Sequence, residues 1–345
     1  MKGRARSASD TLLTPALRRY LAAPILRLVP SRVSANAITL AAHACLYAVP
    51  FVAAIVGPRL PALAAAAIVL LILLFAIGDE LDGMQAQRTR TTSSLGEFLD
   101  HYLDSFGPGV LLYAAYALYR LPATDLLLVT IGCTFLTGST LYLEHLRTGT
   151  MVFEAISTTE GLAFAAVVLG LGVVPAVQRL ARLEVLPGYS VLALFLLAVS
   201  AAVLVPTAVR SFVRTHAIPI LWLLLAFGMA AVIAGLLLTS AGLSLGAAVL
   251  VLYGCSNAGA LILRRLRPGR MPVPDPVAPV ALLAAALVIP RHALLVQAAV
   301  LVYLGARCAW IAGLAALRLP RPGRPVVSGA AAVAGAAARS DQKEA

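Results

Sequence analysis

The sequence predicts an all-α, polytopic integral membrane protein, and three observations support that prediction. Hydrophobic residues make up 61% of the 345 positions, against about 45–50% in an ordinary soluble domain. The mean hydropathy is +0.92. Apolar runs of about 20 residues, the length that crosses a bilayer, recur along the chain. Composition alone therefore places the protein in the membrane class.

The apolar runs predict about ten transmembrane helices. An N-terminal polar segment precedes them, and a tail rich in Pro, Gly, Ala and charge follows them. We place the spans at 35–57, 61–86, 94–118, 124–146, 159–178, 189–210, 217–238, 243–263, 275–290 and 293–317.

An amphipathic helix is predicted between Thr11 and Val29. Apolar side chains recur there every three or four residues, and arginines lie between them. The apolar positions are Leu13, Leu17, Leu21, Ile25 and Leu28, and the basic positions are Arg18, Arg19 and Arg27. This pattern is typical of a helix that lies in the lipid headgroup plane. A solvent-exposed cytosolic helix is the alternative.

The basic residues predict the orientation in the membrane. With the N-terminus in the cytosol, most of the 27 Lys and Arg residues fall in cytosolic segments. An even number of spans then places both termini in the cytosol. The net charge of +12 therefore reflects topology and contacts with membrane lipids, and no nucleic-acid-binding motif accompanies it. Lys2 and Lys343 are the only lysines, so nearly all basic residues are Arg, and Ala is abundant. This composition favours a GC-rich genome, and hence a protein of a bacterial cytoplasmic membrane.

Carboxylates are concentrated in one apolar region. Asp79 and Asp82, spaced i, i+3, end the second predicted span, and Asp100 and Asp104, spaced i, i+4, begin the third. One ionised carboxylate at the bilayer centre costs roughly 2.5–3.5 kcal/mol. Each pair lies on one helical face, and a short turn lets the two faces meet. The four carboxylates thus predict a site for two Mg²⁺ or Mn²⁺ ions. Ordinary helix-end caps and ion pairs are the alternative.

Neighbouring residues fit a ligand that carries phosphate. Gly83 and Gly96 stand where the backbone approaches a ligand closely or where helices pack tightly. Arg88 and Arg90 add positive charge at the cytosolic end, where a phosphate would dock. Paired metal ions of this kind suit phosphoryl or phosphodiester transfer.

The same stretch resembles the signature D-x2-D-G-x2-A-R-x8-G-x3-D-x3-D of the CDP-alcohol phosphotransferases. The matching positions are Asp79, Asp82, Gly83, Ala86, Gly96, Asp100 and Asp104. Gln87 stands where the family has Arg, and Arg88 follows it. In the family that Arg helps to hold the donor's phosphates. Either Arg88 takes over this role, or the donor is bound somewhat differently.

The resemblance also implies roles for individual residues. The four aspartates would hold two metal ions, and Asp104 would be the usual candidate base. The donor would be a CDP-linked alcohol, with CMP as the leaving group. Asn36 and Thr39 belong to an Asn-Ala-Ile-Thr element similar to the one that lies near the cytidine in the family, although Ala35 replaces its Pro. A polar cap on the first span is the alternative for this element.

Residues Gly96 to His101, with the sequence Gly-Glu-Phe-Leu-Asp-His, resemble the G-E-L-F-D-H of the choline/ethanolamine phosphotransferase branch. In that branch His101 would be a candidate base for the acceptor hydroxyl, and Glu97, four residues earlier, would orient it. Alternatively, His101 only hydrogen-bonds beside a metal ligand and Asp104 is the base. Glu144 and His145 loosely match a later segment of this branch, and ten spans also fit it.

The resemblance implies a phospholipid-synthesising enzyme that transfers a phospho-alcohol from CDP-ethanolamine or CDP-choline to diacylglycerol. Its parts would be a cytosolic segment with the amphipathic helix (1–34), a catalytic transmembrane core (35–210), additional helices (211–318) and a disordered cytosolic tail (319–345). Members of the family are commonly dimers, which suggests a homodimer by analogy.

Two other functions stay open at this point. CDP-diacylglycerol could be the donor and a soluble alcohol the acceptor, with Arg147 and the Arg210–Arg214 segment binding an acceptor phosphate. A non-enzymatic membrane transporter or scaffold is the remote alternative, although such a protein would distribute its charges through the bundle.

Overall fold

The computed structural model describes residues 12–149, 158–216, 219–267 and 273–320. The regions predicted to be disordered, 1–10 and nearly all of 319–345, lie outside these ranges. The described helices are α1 Thr14–Leu17, α2 Ala23–Leu26, α3 Ala35–Phe51, α4 Pro61–Thr89, α5 Ser94–Asp104, α6 Gly107–Tyr119, α7 Thr124–Thr148, α8 Thr158–Gly170, α9 Pro175–Ala181, α10 Val191–Thr215, α11 Ile220–Leu238, α12 Leu243–Leu266, α13 Val277–Val288 and α14 Ala293–Arg318. The described β-structure is one antiparallel hairpin, in which β1 Glu184–Leu186 pairs with β2 Tyr189–Ser190.

This architecture confirms an all-α membrane protein. Among the described residues, seven helices are long and apolar enough to cross a bilayer. They are Ala35–Val56, Pro61–Thr89, Thr124–Thr148, Val191–Thr215, Ile220–Leu238, Leu243–Leu266 and Pro290–Arg318. Residues 158–173 and 175–181 form a pair bent by 112°, which makes eight spans if the pair counts as one.

The predicted number of about ten spans is not confirmed. The bent pair stands at the predicted span 159–178, and two further segments account for the rest of the difference. The predicted span 94–118 is divided into α5 and α6. Pro108 lies in the first turn of α6 and has no N–H to bond the preceding turn, so the helix is interrupted there. The predicted span 275–290 contains α13, whose 12 residues extend about 18 Å at 1.5 Å per residue.

The predicted amphipathic helix corresponds to α1 and α2, joined by the π-helical turn Arg18–Ala22. Its contacts tie it to the bundle. Arg18 forms an ion pair with Glu80 of α4 at 2.8 Å, and the backbone N–H of Leu13 donates to Glu160 of α8 at 2.8 Å. The side chain of Tyr20 is exposed. Its position in the headgroup plane stays a prediction.

Helices α3 and α4 pack closely beside the acidic region. A Cβ placed on Gly78 would lie 2.6 Å from the Cβ of Ala42, so only glycine allows this approach. The polar residues of α3 thereby face the acidic end of α4.

Helix α12 is the most enclosed of the described spans. It packs against α5, α6, α7, α11 and α14, and nearly all of its residues from Val249 to Leu263 are buried. Gly254 leaves no room for a Cβ beside Phe135 of α7, and Gly259 leaves none beside Tyr102 of α5. Small residues let helices approach closely in a bilayer, where van der Waals packing drives association. A helix from the C-terminal part of the chain thus contacts α5, which carries Asp100 and Asp104.

Candidate metal centre

Three of the four predicted ligands converge. Oxygen atoms of Asp79, Asp82 and Asp100 all lie within 4.8 Å of one another. Asp82 is buried, whereas Asp79 and Asp100 are half-buried. The i, i+3 spacing on α4 and the position of Asp100 on α5 therefore bring the side chains together as the periodicity predicted.

The chain reverses sharply between α4 and α5. Arg90 adopts a left-handed conformation (φ 55°) as the C-cap of α4, and the N–H of Thr91 donates to the carbonyl of Ala86 at 2.9 Å. The side chain of Ser93 then caps α5 by accepting from the N–H of Gly96 at 3.1 Å. These local bonds end one acidic helix and begin the next within a few residues.

Asp104 lies outside this group of three, one helical turn after Asp100 on α5. Its Oδ1 is 3.1 Å from Nε2 of His43, a buried residue of α3. The Nδ1 atom of His43 donates to the carbonyl of Thr39 at 2.8 Å, which fixes the orientation of the ring. The sequence predicts that His43, a polar residue within a span, faces the bundle interior, and its burial confirms this; its contact with Asp104 was not predicted. The histidine follows Thr39 by one helical turn, and an ionisable residue inside a span is a functional candidate.

The Asn-Ala-Ile-Thr element of α3 contacts Asp82 directly. The hydroxyl of Thr39 lies 2.5 Å from Oδ2 of Asp82. Asn36 lies near Gly96, where a Cβ would be 3.3 Å from its Oδ1. The N-cap of α3 is Ser34, whose side chain accepts from the N–H of Ala37. Asn36 is therefore not the cap of the first span, and the element faces the acidic centre.

The two signature glycines have different surroundings. Apart from the backbone of its own helix and its two chain neighbours, no atom lies within 4 Å of a Cβ built on Gly83, so space is open at this position beside Asp82. A Cβ on Gly96 would contact Asn36 and Ser93 at 3.3 and 3.4 Å. Open space at Gly83 favours ligand approach over tight helix packing as its reason for being glycine.

Arg88 contacts the N-terminal segment. Its guanidinium donates to the carbonyls of Leu26 and Val29 at 2.7 and 2.6 Å. Gln87 is exposed and Ala86 is half-buried. A role for Arg88 in phosphate binding stays a prediction, as does the consequence of Gln87. The buried Gln85 similarly donates to the carbonyls of Pro30 and Val33, a contact that sequence reasoning missed.

Glu97 has a partner that the sequence did not indicate. Its Oε1 lies 2.6 Å from a guanidinium nitrogen of Arg265 on α12. The predicted role of Glu97 in orienting His101 stays a prediction. The backbone carbonyl of His101 accepts from the hydroxyl of Tyr142 on α7 at 3.1 Å, which holds this turn of α5.

A largely apolar cavity of about 580 Å³ adjoins the acidic centre. Helices α6, α7, α8 and α10 provide most of its wall, with side chains such as Leu112, Leu162 and Val203. His101 and Asp104, the two candidate bases, also line it. Both candidate bases therefore face the same apolar cavity.

The arginines considered for an acceptor phosphate have distinct positions. Arg214 forms an ion pair with the buried Glu144 at 2.8 Å. Arg147 is exposed, and Arg210 lines the cavity. The carboxylate of Glu144 already neutralises one of the cations on this side.

No protein-family model and no curated protein matches this chain.

Proposed function

We propose that the chain is a membrane-embedded CDP-alcohol phosphotransferase. It transfers a phospho-alcohol from CDP-ethanolamine or CDP-choline to a lipid hydroxyl such as that of diacylglycerol and releases CMP. The observation that carries the proposal is the convergence of Asp79, Asp82 and Asp100 within 4.8 Å, at positions that follow the family's signature. We place the enzyme in a bacterial cytoplasmic membrane, with about ten spans, a cytosolic active site and a homodimeric assembly.

The carboxylate oxygens of the four aspartates fit the proposed metal ions. Carboxylate oxygens are the ligands that Mg²⁺ and Mn²⁺ prefer, and close carboxylates repel one another unless cations neutralise them. Asp79, Asp82, Asp100 and Asp104 would hold two ions, which supply charge neutralisation to the oxygens of the donor's pyrophosphate. Thr39 orients Asp82, and His43 orients Asp104. Such outer contacts hold metal ligands in place.

The chemistry is a single displacement at phosphorus. The acceptor oxygen forms a bond to the phosphorus that bears the alcohol, and the bond from this phosphorus to the CMP oxygen breaks. His101 or Asp104 takes the proton of the acceptor hydroxyl. Both residues line the cavity, so an acceptor there would reach either base. The donor would lie along Asn36, Thr39, Gly83, Ala86, Gln87, Arg88 and Gly96.

The apolar cavity supports a lipid as the acceptor. Its walls offer van der Waals contact to acyl chains, while His101 and Asp104 supply the polar end that a hydroxyl needs. A small, fully soluble alcohol would gain nothing from walls such as Leu162 and Val203.

A second donor class is favoured by one observation. Arg210 lines the same cavity as His101 and Asp104, and a cation there suits an acceptor that carries phosphate. In that case the lipid would be CDP-diacylglycerol and the acceptor a soluble alcohol phosphate.

One assay distinguishes the two donor classes. Purified protein in nanodiscs receives Mg²⁺ and either head-group-labelled CDP-ethanolamine with diacylglycerol, or CDP-diacylglycerol with labelled glycerol phosphate. We expect CMP release and labelled lipid in the first mixture only. Asp79→Ala and Asp100→Ala should abolish both products, whereas Glu184→Ala, in the exposed hairpin, should retain them. CMP release that both aspartate variants retain would reject the proposal.

A further inference from the structure

Helix α5 is short and carries carboxylates toward those of α4, so contacts from other helices are needed to hold it in place. It has 11 residues, a length that is marginal for an isolated helix. It also carries Asp100 and Asp104 toward the carboxylates of α4. Like charges repel one another, and the repulsion is stronger where protein replaces water around them. Other contacts must hold α5 against α4 before any cation is bound.

One such contact lies on the acidic face of α5. Glu97 precedes Asp100 by three residues and Asp104 by seven, so the three carboxylates share one stripe of the helix. Arg265 of α12 bonds Glu97 at 2.6 Å. A rotation of α5 that moved Asp100 or Asp104 away from α4 would also pull Glu97 away from Arg265.

Another contact lies on a different face. Tyr102 is buried and fits against Gly259 of α12, where no Cβ can be accommodated. Its hydroxyl donates to the carbonyl of Cys308 on α14 at 3.2 Å. Because Tyr102 and Glu97 point from different sides of α5, the two contacts together restrict both the rotation and the distance of the helix.

We propose that Arg265 is a positioning residue for the metal centre. Through Glu97 it holds α5 in the rotation that directs Asp100 and Asp104 toward Asp79 and Asp82. Helices from the C-terminal part of the chain thereby determine the metal affinity of a site whose ligands all lie in the N-terminal part. This inference rests on the metal binding assumed in the proposed function, and a preorganised ligand set is what high affinity requires.

The test measures Mn²⁺ affinity of the purified full chain by electron paramagnetic resonance, with no substrate present. We expect Arg265→Ala and Glu97→Ala each to weaken binding about tenfold, within the range found for groups that hold metal ligands. The double variant should bind no more weakly than the worse single variant, because both changes remove one contact. Arg265→Lys should recover most of the affinity, since an ammonium can still donate to Glu97.

Arg264→Ala is the matched control. Arg264 is the preceding residue of α12, it is exposed, and its removal changes the net charge equally. We expect its Mn²⁺ affinity to stay within twofold of the wild type. An equally weakened Arg264→Ala would show that charge alone matters, and an unchanged Arg265→Ala would show that the contact is dispensable. Either result would overturn the proposal.

A folding failure of Arg265→Ala would leave the exchanged pair Glu97→Arg/Arg265→Glu as the deciding variant. Folded protein that binds Mn²⁺ nearly as well as the wild type supports the positioning role, and folded protein without binding rejects it. Wild-type protein that binds no Mn²⁺ would reject the proposed function itself. Wild-type binding with an unaffected Arg265→Ala would reject only the role of Arg265.

Discussion

His43 of α3 and Asp104 of α5 are joined by a contact of 3.1 Å between Nε2 and Oδ1. The histidine is buried and its other nitrogen donates to the carbonyl of Thr39. The ring therefore links the first span to the end of the acidic helix. This link gives α3 a direct part in holding a candidate metal ligand.

Replacing His43 should impair the metal centre. His43→Ala frees the carboxylate of Asp104 to rotate, and we expect CMP release to fall by about 10- to 100-fold, as for other groups that support metal ligands. The rate of CMP release at saturating donor and Mg²⁺ measures this effect. His292→Ala is the control, because His292 is exposed in the turn before α14. Full activity of His43→Ala would show that Asp104 needs no such support.

Thr39 should act through its hydroxyl. Thr39→Val keeps the shape of the side chain but removes the bond to Asp82, so we expect Mn²⁺ affinity to fall by about tenfold. Thr39→Ser should retain most of the affinity, since it keeps the hydroxyl. Titration followed by electron paramagnetic resonance compares the variants. Equal losses in both would point to packing and not to the hydrogen bond.

The acidic site could be predicted because its determinants are local. Helical periodicity places Asp79 and Asp82 on one face of α4, and a short turn brings Asp100 of α5 beside them. The contacts of Thr39 with Asp82 and of Arg265 with Glu97 depend on which helices become neighbours, and they join residues far apart in the sequence. Helical periodicity does not predict which helices become neighbours.

Helix α12 shows why the neighbours themselves could not be predicted. Apart from Ser256, Asn257 and the arginines at its end, most of its sequence is apolar, and in a bilayer an apolar residue suits lipid and protein interior equally. Gly254 and Gly259 mark the faces that approach Phe135 and Tyr102. Likewise, the division of the predicted span 94–118 into α5 and α6 depends on Pro108, which favours the start of a new helix. The continuous apolar run after Pro108 instead favours a single span, and the sequence pattern does not show which of the two effects prevails.

Metal binding should stabilise the fold. The ion neutralises carboxylates that repel one another, and at 100 times its Kd it would add about 2.7 kcal/mol to the free energy of unfolding. We expect Mg²⁺ or Mn²⁺ to raise the melting temperature of the detergent-solubilised protein, and EDTA to reverse the increase and abolish CMP release. Asp100→Ala should show no metal-dependent increase, whereas Glu184→Ala should show it in full. An equal increase in both would mean that the ions bind elsewhere.

Arg88 contacts the N-terminal segment and is also predicted to bind donor phosphate, and one variant tests both roles. Its guanidinium donates to two carbonyls of the N-terminal segment, so Arg88→Ala should make residues 12–33 more sensitive to limited proteolysis. If it also holds donor phosphate, KM for the CDP-alcohol should rise. Arg179→Ala, exposed on α9 and away from the acidic stretch, is the control for the loss of one positive charge. We expect the proteolytic effect in Arg88→Ala alone, and its absence would show that the carbonyl contacts do not hold the segment.

Filling the apolar cavity should affect the acceptor and not the metal. Gly138 lines the cavity, and outside its own helix backbone and its two chain neighbours no atom lies within 4 Å of a Cβ built on it. The first carbon of a larger side chain therefore enters the space without a clash. Gly138→Leu should therefore raise KM for diacylglycerol severalfold, because the leucine occupies volume that an acyl chain would use. Mn²⁺ affinity should be unchanged, since the aspartates keep their positions. Gly313→Leu, on an exposed face of α14 with equally open surroundings, controls for added bulk in the membrane. A raised KM for the CDP-alcohol with unchanged KM for diacylglycerol would instead place the donor in the cavity and favour CDP-diacylglycerol as the substrate.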